Sequence, residues 1–432
     1  MSGVVPQTAV RDASHASTAS EPSVLTPHFE DSHTVIHCGD VRAVLAEIPA
    51  DSVQTVVTSP PYWGLRDYGN EPSVWGGGMA GCPHEWGATL PAHHPGQVRD
   101  GKAVTLENAI GQNAGAGAFC RLCGAWKGCL GLEPTPEMYV EHIVEVFREV
   151  RRVLRNDGTV WLNLGDSYAG SWGAMSYPGD SIAGRRFGAN GQGDVGRPVN
   201  SRNVSGLKPK DLVGIPWAVA FALRADGWWL RSDIVWSKSN PMPESVTDRP
   251  TRSHEYVFLL TKSQRYYYDA AAIREPYAAS SLQRISQPTF DGQTGGEKDY
   301  QNGTNPNRSA RQTLVHLKDK QRGHGRRHDG FNDRWDAMTK DEEQANGANK
   351  RTVWKIATKP YSEAHFATFP EALVTPCILA GSREGGTVLD PFSGSGTVGV
   401  VARKAGRRSV LIDVSAEYCD LAAKRIRQGV LI

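Results

Sequence analysis

Apolar runs closed by Gly, Asp or Pro recur along this chain at lengths suited to buried strands. They are Thr34 to Cys38, Val53 to Thr58, Thr159 to Leu164, Trp228 to Trp236, Tyr256 to Leu260, Val388 to Leu389 and Ser409 to Ile412. The pattern predicts seven strands of one sheet. Between them the period lengthens. From Pro136 to Leu154, the residues Val140, Ile143, Val144, Phe147, Val150, Val153 and Leu154 fall at helical spacing, and Gly158 follows soon after. That spacing predicts an amphipathic helix, and strands alternating with helices predict an α/β, doubly wound fold.

Three segments break this rhythm. Gly76 to about Gly131 is glycine-rich with clustered Cys and His, and Ala169 to Gly206 is rich in Gly, Ser and Asn. Ala270 to about Lys350 is polar and Arg-rich, with Arg322, Arg326 and Arg327 beside His324 and His328. Long stretches without regular structure are uncommon in compact domains unless functional, so these read as insertions or modules. Residues 1–30 are rich in Ser, Thr, Ala and Pro with no sustained apolar run, which predicts a disordered tail and no secretory signal.

At 432 residues the chain is long enough for a substantial core. Its formal charge of +2 is nearly balanced, so a nucleic-acid surface would have to come from local clustering. No segment approaches the ~20 apolar residues that span a bilayer. The expectation is a soluble, cytoplasmic protein with no membrane partner. In a reducing compartment its seven cysteines are read as metal ligands or packing, not disulfides.

Two strings carry the chemistry. Near the C-terminus, Thr387-Val388-Leu389-Asp390-Pro391-Phe392-Ser393-Gly394-Ser395-Gly396-Thr397 runs a short apolar strand into a glycine turn that lets backbone approach a ligand, with a helical stretch from Val398 to Lys404 after it. Gly394 to Gly399 satisfies G-x-G-x-x-G, and Asp413 lies about where the ribose-binding acid of a dinucleotide site is expected. Taken alone this is an NAD fingerprint. Too few residues follow Gly399 to build the rest of such a domain, so most of the sheet must come from earlier sequence, and the order of its strands is permuted. The second string, Thr58-Ser59-Pro60-Pro61-Tyr62, is by itself an ordinary proline turn after a strand.

In this order, over about two-thirds of the chain, the two motifs resemble those of DNA amino-methyltransferases, in the class that carries Ser-Pro-Pro-Tyr before the cofactor motif. The resemblance implies a Rossmann-like S-adenosylmethionine-dependent methyltransferase fold, a permuted seven-stranded mostly parallel sheet with insertions, and duplex DNA as partner. It assigns Asp390, Phe392, Gly394, Gly396 and Thr397 to the methionine and ribose region of the cofactor, Asp413 to the ribose hydroxyls and Asp40 to the adenine amine. Phe366, in His365 to Pro370, would close over the methionine end. Carboxylates suit this ligand, whose hydroxyls, amine and ammonium are all donors, although a carboxylate after a strand serves equally as a turn or helix cap.

An exocyclic amine is a poor nucleophile because its lone pair is delocalised into the ring. The Ser59 hydroxyl and the Pro60 carbonyl can accept its two hydrogens and draw the nitrogen toward tetrahedral geometry. Pro60 and Pro61 restrict the backbone and supply no N–H, and Tyr62 can stack on a flipped base. Trp63 and Trp236 are assigned to the base pocket. Within the family, Ser at the first motif position goes chiefly with cytosine N4 and Asp with adenine N6, so cytosine is preferred and adenine is the alternative. A non-catalytic DNA-binding protein of the same fold and an NAD enzyme are the readings from other classes. A carbon-methylation mechanism through Cys377 is rejected, because Leu373, Cys377, Ile378 and Leu379 read as one core helix.

Cys82, His84, Cys120 and Cys123 offer two closely spaced ligand pairs suited to a structural tetrahedral zinc, with Cys129, His93 or His94 as substitutes. The expected layout is therefore a tail at 1–30, a catalytic domain at 31–75, 132–269 and 351–432, a zinc module at 76–131 and a target-recognition region at 270–350. A homodimer is compatible with this layout, and neither it nor a cognate restriction enzyme is inferable from one chain.

Overall fold

The computed structural model describes residues 26–64, 68–89, 117–169, 207–208, 210–280, 283, 347–359 and 370–428. In chain order the strands are β1 (Phe29–Glu30), β2 (Thr34–Cys38), β3 (Val53–Thr58), β4 (Ser73–Trp75), β5 (Ala118–Phe119), β6 (Trp126–Gly128), β7 (Leu154–Leu164), β8 (Trp229–Lys238), β9 (His254–Thr261), β10 (Val353–Ile356), β11 (Thr387–Asp390) and β12 (Arg408–Asp413). The helices are α1 (Val41–Glu47), α2 (Pro136–Val153), α3 (Ile215–Ala225), α4 (Glu371–Gly381), α5 (Thr397–Lys404) and α6 (Ala416–Gln428).

Nine strands form the main sheet in the order β1-β2-β12-β11-β3-β7-β9-β8-β10. All seven expected strands are in it. The two others, β1 and β10, are edge strands of two and four residues, too short to show a period. β1 also lies within the stretch read as a tail, pairing Phe29 with Ile36 and Glu30 with Val35. The five central strands β2, β12, β11, β3 and β7 run parallel, and β9 turns antiparallel to both β7 and β8.

Alternation of side chains across the sheet sets up two cores. Val56 of β3, Val160 and Leu162 of β7 and Leu389 of β11 face α1, α2 and α3. Val57, Trp161 and Val388 face α4, α5 and α6. Helix α2 shows why the local sequence folds this way. Thr135 caps it by accepting from the Met138 N–H at 3.2 Å, Pro136 occupies its first turn, and Arg151 and Arg152 face the negative end of its dipole. Its buried stripe of Tyr139, Ile143, Val146, Phe147, Val150 and Val153 contributes about 1.5–3 kcal/mol per large side chain. The chain leaves α2 directly into β7, which begins at Leu154, five residues before the expected start at Thr159.

From β11 the chain moves through α5 to β12 on one side. From β3 it moves through α2 to β7 on the other. β11 and β3 are hydrogen-bonded neighbours, with Val388 opposite Thr55 and Leu389 opposite Val56. The switch point of the sheet therefore lies between the strand before Ser59 and the strand before the glycine loop, where open α/β sheets bind ligands.

The Cys/His segment carries a second, antiparallel sheet in the order β4-β6-β5. Its first strand starts at Ser73, so this unit begins before the expected boundary at 76. His142 of α2 lies between Trp75 and Trp126, with ring centroids 4.7 and 5.4 Å away, and its Nδ1 meets the buried Glu133 carboxylate at 2.9 Å. At 270–350, the 3₁₀ turn Ala271–Ile273 packs Ile273 into the core, and Glu275 and Ala348 exchange backbone hydrogen bonds of 2.8 and 2.7 Å. Most of the chain between these two residues, with 170–206, lies outside the described residues.

Candidate active site

The ends of β3 and β11 open into one cavity of about 440 Å³. Ser59, Pro60, Pro61 and Tyr62 line one part, and Phe392, Gly394, Thr397 and Asp413 line another. Asp40 and Trp236 are also on its wall. The structure thus gathers the two motifs, separated by more than three hundred residues of sequence, around a single space. Phe366 lies outside the described residues, as do His93 and His94.

The glycine loop is held by two carboxylates. Asp390 is fully buried behind the wall and not on it; its Oδ1 accepts from the Thr58 hydroxyl at 2.7 Å and from the Phe392 N–H at 3.1 Å. Burial raises its pKa to about 7, against the pull of those two donors, and its Oδ2 has no partner among the described residues. Asp413 accepts from the Gly394 N–H at 2.8 Å and the Ser415 N–H at 2.9 Å, and burial raises its pKa too. Gly396 is likewise behind the wall. Its φ of 74° starts α5, and a Cβ there would meet Ala422 Cβ at 2.7 Å, so only glycine admits the close packing of α5 on α6. The carboxylate that reaches the wall is Asp413, and an acceptor there suits a donor-rich ligand such as the hydroxyls of S-adenosylmethionine.

Asp40 does what an acidic residue after a strand does on local grounds: it caps α1, accepting from the Arg42 N–H at 2.9 Å, and forms a 2.8 Å ion pair with the Arg42 guanidinium. Burial works to raise its pKa, and bonds from Arg42 and Ser73 overcome that and hold it at about 2. Because it also lines the cavity, the cap and ligand roles are compatible. Arg42 in turn stacks 3.8 Å over Trp75, which ties this end of the site to the second sheet.

The Ser-Pro-Pro-Tyr loop is braced from outside. Tyr139 of α2 donates to the Pro61 carbonyl at 2.9 Å, the Gly64 N–H donates to the Gly131 carbonyl at 2.8 Å, and Trp63 Nε1 donates to the Glu133 carbonyl at 2.9 Å. Trp63 is therefore a brace outside the cavity wall, contrary to its expected place in the base pocket, because its indole turns toward the chain leaving the Cys/His segment. Trp236 is on the wall, with Nε1 bonded to the Ile356 carbonyl.

Sequence reasoning missed Asn163 and Glu255, both on the wall with Lys238. The Tyr62 hydroxyl lies 2.8 Å from Glu255 Oε2 and 3.0 Å from Asn163 Oδ1, and Lys238 Nζ lies 2.5 Å from Glu255 Oε1. Register places Glu255 of β9 opposite Trp236 of β8. The one available signal was a charged residue opening an apolar strand.

Cys82, His84, Cys120 and Cys123 converge, their ligand atoms all within 4.8 Å of one another. The Cys82 and Cys120 sulfurs are 3.9 Å apart and Cys123 Sγ is 3.5 Å from His84 Nδ1, against roughly 3.8 Å between sulfurs around a tetrahedral zinc. Cys129 lies outside this cluster and donates to the Asn70 carbonyl. Cys377 is buried in α4 with its sulfur on the Leu373 carbonyl, and burial raises its pKa, as expected of a core thiol.

The permuted sheet brings a proline loop and a glycine loop to one crevice, as the resemblance to DNA amino-methyltransferases implies. Comparison with known proteins extends this to the substrate. The sequence profile of the DNA methylase family, of N6/N4 type, matches residues 53–424, and the chain belongs to that family. It is 36% identical to the Type II methyltransferase M.SmaI of Serratia marcescens over 390 residues, covering 90% of this chain and 89% of that one. It is 34% identical to the Type II methyltransferase M.Cfr9I of Citrobacter freundii over 389 residues, covering 90% and 86%. Among solved structures, the cytosine-N4-specific PvuII DNA methyltransferase aligns over 93% of both chains at 14% identity with a TM-score of 0.47. The protein is a DNA amino-methyltransferase. Among the described residues, no helix is long and apolar enough to cross a membrane.

Proposed function

We propose that the protein methylates the N4 amine of a cytosine flipped out of duplex DNA, at a specific site. The observation that carries this reading is the shared cavity, in which Ser59 and Pro60 face the loop from Phe392 to Thr397. When bound, S-adenosylmethionine supplies an electrophilic methyl group on a sulfonium. Ser59 Oγ and the Pro60 carbonyl accept the amine hydrogens and hold the lone pair toward that methyl. Tyr62 stacks on the base, with Trp236 at the side of the pocket. Asp40, Phe366, Phe392, Gly394, Thr397 and Asp413 hold the cofactor, Asp390 and Gly396 support them from behind, and the two prolines keep the acceptor loop in shape. Serine at position 59 favours cytosine over adenine N6.

The test is nucleoside mass spectrometry of DNA methylated by the enzyme from labelled S-adenosylmethionine. N4-methylcytosine is expected. N6-methyladenine would move the acceptor to the alternative base, and no methylated amine would overturn the assignment.

The chain between Glu275 and Ala348 is proposed to read the target sequence, its Arg residues holding phosphates and base edges. Relatives named as Type II methyltransferases support a place in a restriction–modification pair. Cys82, His84, Cys120 and Cys123 are proposed to hold one structural zinc that the small antiparallel sheet needs for lack of apolar content. One equivalent of zinc by metal analysis of protein purified without chelator supports this, and its absence would sink it.

A further inference from the structure

Transfer of a methyl group to an exocyclic amine leaves the nitrogen with a proton to lose, and a serine hydroxyl is a poor final acceptor for it. Behind Ser59 the structure has a chain of hydrogen bonds ending on a carboxylate. The Ser59 hydroxyl donates to Tyr62 Oη at 3.2 Å, and Tyr62 Oη donates to Glu255 Oε2 at 2.8 Å. Asn163 Oδ1 competes for the tyrosine proton at 3.0 Å, but an ionised acceptor at shorter range wins it.

Three features hold this chain in one direction. Lys238 Nζ meets Glu255 Oε1 at 2.5 Å and orients the carboxylate, while Asn163 Nδ2 donates to Glu255 Oε2 at 3.2 Å and to the Tyr256 carbonyl at 3.0 Å. The Tyr62 ring lies against Gly165, where a Cβ would come within 2.5 Å of Cε2, so the hydroxyl cannot swing away from β7 and β9. With the serine proton directed to Tyr62, both lone pairs of Ser59 Oγ are free to face the amine. Burial first, and then the Glu255 charge, raise the Tyr62 pKa well above that of an ordinary phenol. No tyrosinate is therefore stored, and the protons move together.

We propose that Glu255 is the terminal proton acceptor of methyl transfer, acting as a positioning residue through Tyr62 and Ser59. The amine lone pair forms the N–CH3 bond as the C–S bond of the donor breaks and its electron pair passes to sulfur. The nitrogen gives one proton to Ser59 Oγ, whose own proton moves to Tyr62 Oη, whose proton moves to Glu255 Oε2. Glu255 becomes a neutral acid, and its proton returns to water after product leaves. The carboxylate thus serves the reaction without touching the base.

This inference rests on the amino-methyltransferase reading, and the experiment separates the two. Glu255→Gln keeps size and one acceptor but cannot take the proton, and Tyr62→Phe keeps the ring and breaks the chain. In single turnover with labelled S-adenosylmethionine and duplex DNA, each variant should transfer methyl on the order of 10²-fold more slowly, the usual scale for losing positioned proton transfer. Affinity for cofactor and DNA and the unfolding temperature should stay at wild-type values. The double variant should be no slower than the slower single one, since residues acting as a unit are not additive. A merely structural carboxylate would instead give additive losses and weaker binding. Glu255→Gln within about twofold of wild type, or rates that multiply in the double variant, overturns the relay. Absence of any methylated amine with wild-type enzyme overturns the underlying reading as well.

Discussion

The two loops that meet at the switch point are secured by opposite means. The glycine loop is held from within, by Asp390 at the end of its own strand and Asp413 on the neighbouring strand, both bonded to loop backbone. The Ser-Pro-Pro-Tyr loop is held from outside, by Tyr139, Gly131 and Glu133 behind its backbone and by Asn163 and Glu255 on its tyrosine. The glycine loop thus takes its backbone bonds from carboxylates within a short stretch of chain, with Thr58 and Asp40 added from far away, whereas the acceptor half is assembled by strands and an insertion far away in sequence. Donor binding and methyl transfer should therefore be separable by mutation.

The sharpest separation pairs Ser59→Ala with Asp413→Ala. Ser59→Ala removes the acceptor facing the amine and leaves the cofactor wall intact. Its single-turnover rate should fall by about 10²–10³, as when one positioned polar group is lost from a reacting centre, with cofactor affinity unchanged by isothermal titration. Asp413→Ala leaves two loop N–H groups without their charged acceptor, at about 1.5–3 kcal/mol each. It should weaken cofactor binding by at least about tenfold while saturating cofactor restores much of the rate. If Ser59→Ala retained full transfer, or weakened cofactor binding as much as Asp413→Ala, the division between the halves would be wrong.

The donor half should also show in the pH dependence of stability. In the folded protein Asp390 titrates near 7, against 3.8 for the free side chain. The folded state therefore binds this proton more tightly than the unfolded chain does. Its contribution is complete below pH 3.8 and declines until it is gone above about 7, a span on the order of 4 kcal/mol. Without cofactor, the denaturant midpoint should drop as pH rises from about 5 to 7, and Asp390→Asn should flatten that slope. Asp413 is shifted in the same direction, so the slope that remains in Asp390→Asn reports on it. An unchanged slope would mean that Asp390 finds a partner for Oδ2.

What the sequence disclosed follows the same division. The glycine loop and the Ser-Pro-Pro-Tyr loop were legible because each is a local string whose residue types are demanded by backbone geometry or by the reacting group. That they serve one site was implied by the resemblance, in which the Ser-Pro-Pro-Tyr motif precedes the cofactor motif. Glu255 and Asn163 were not legible, because their partner Tyr62 is 193 and 101 residues away and no spacing rule reaches so far. β10 stayed hidden for another reason: four residues with one buried side chain, Trp354, carry no period. Trp63 was assigned to the base pocket because an aromatic beside a base-binding loop reads as a stacking group, whereas its indole bonds to the Glu133 carbonyl off the cavity wall.

Removing the proposed zinc should injure the acceptor half selectively. The turn at Cys129 to Glu133, which leaves the small sheet, braces Trp63 and Gly64 just beyond the Ser-Pro-Pro-Tyr loop, and displacement of a reacting group by about 1 Å costs on the order of 10²-fold. Chelation, or Cys120→Ser, should therefore lower single-turnover transfer by about that factor. Cofactor affinity should move less, because among the described residues the module reaches the donor wall through Asp40, bonded to Ser73, and not through Asp390 or Asp413. Equal losses of rate and of cofactor binding on chelation would show that the module supports both loops alike, through the contact of Arg42 with Trp75.

The finest probe of this bracing is Trp63→Phe. It keeps an aromatic ring and removes the indole N–H that donates to the Glu133 carbonyl, an exchange worth about 1 kcal/mol of stability. Since the indole lies off the cavity wall, DNA affinity should hold within about threefold and the rate should fall modestly, by no more than about fivefold, the equivalent of that 1 kcal/mol. A fall in DNA affinity of tenfold or more, with stability unchanged, would instead put Trp63 against the flipped base. The acceptor loop would then carry its own recognition surface, and the contrast between a locally bonded glycine loop and an assembled acceptor half would have to be redrawn at this residue.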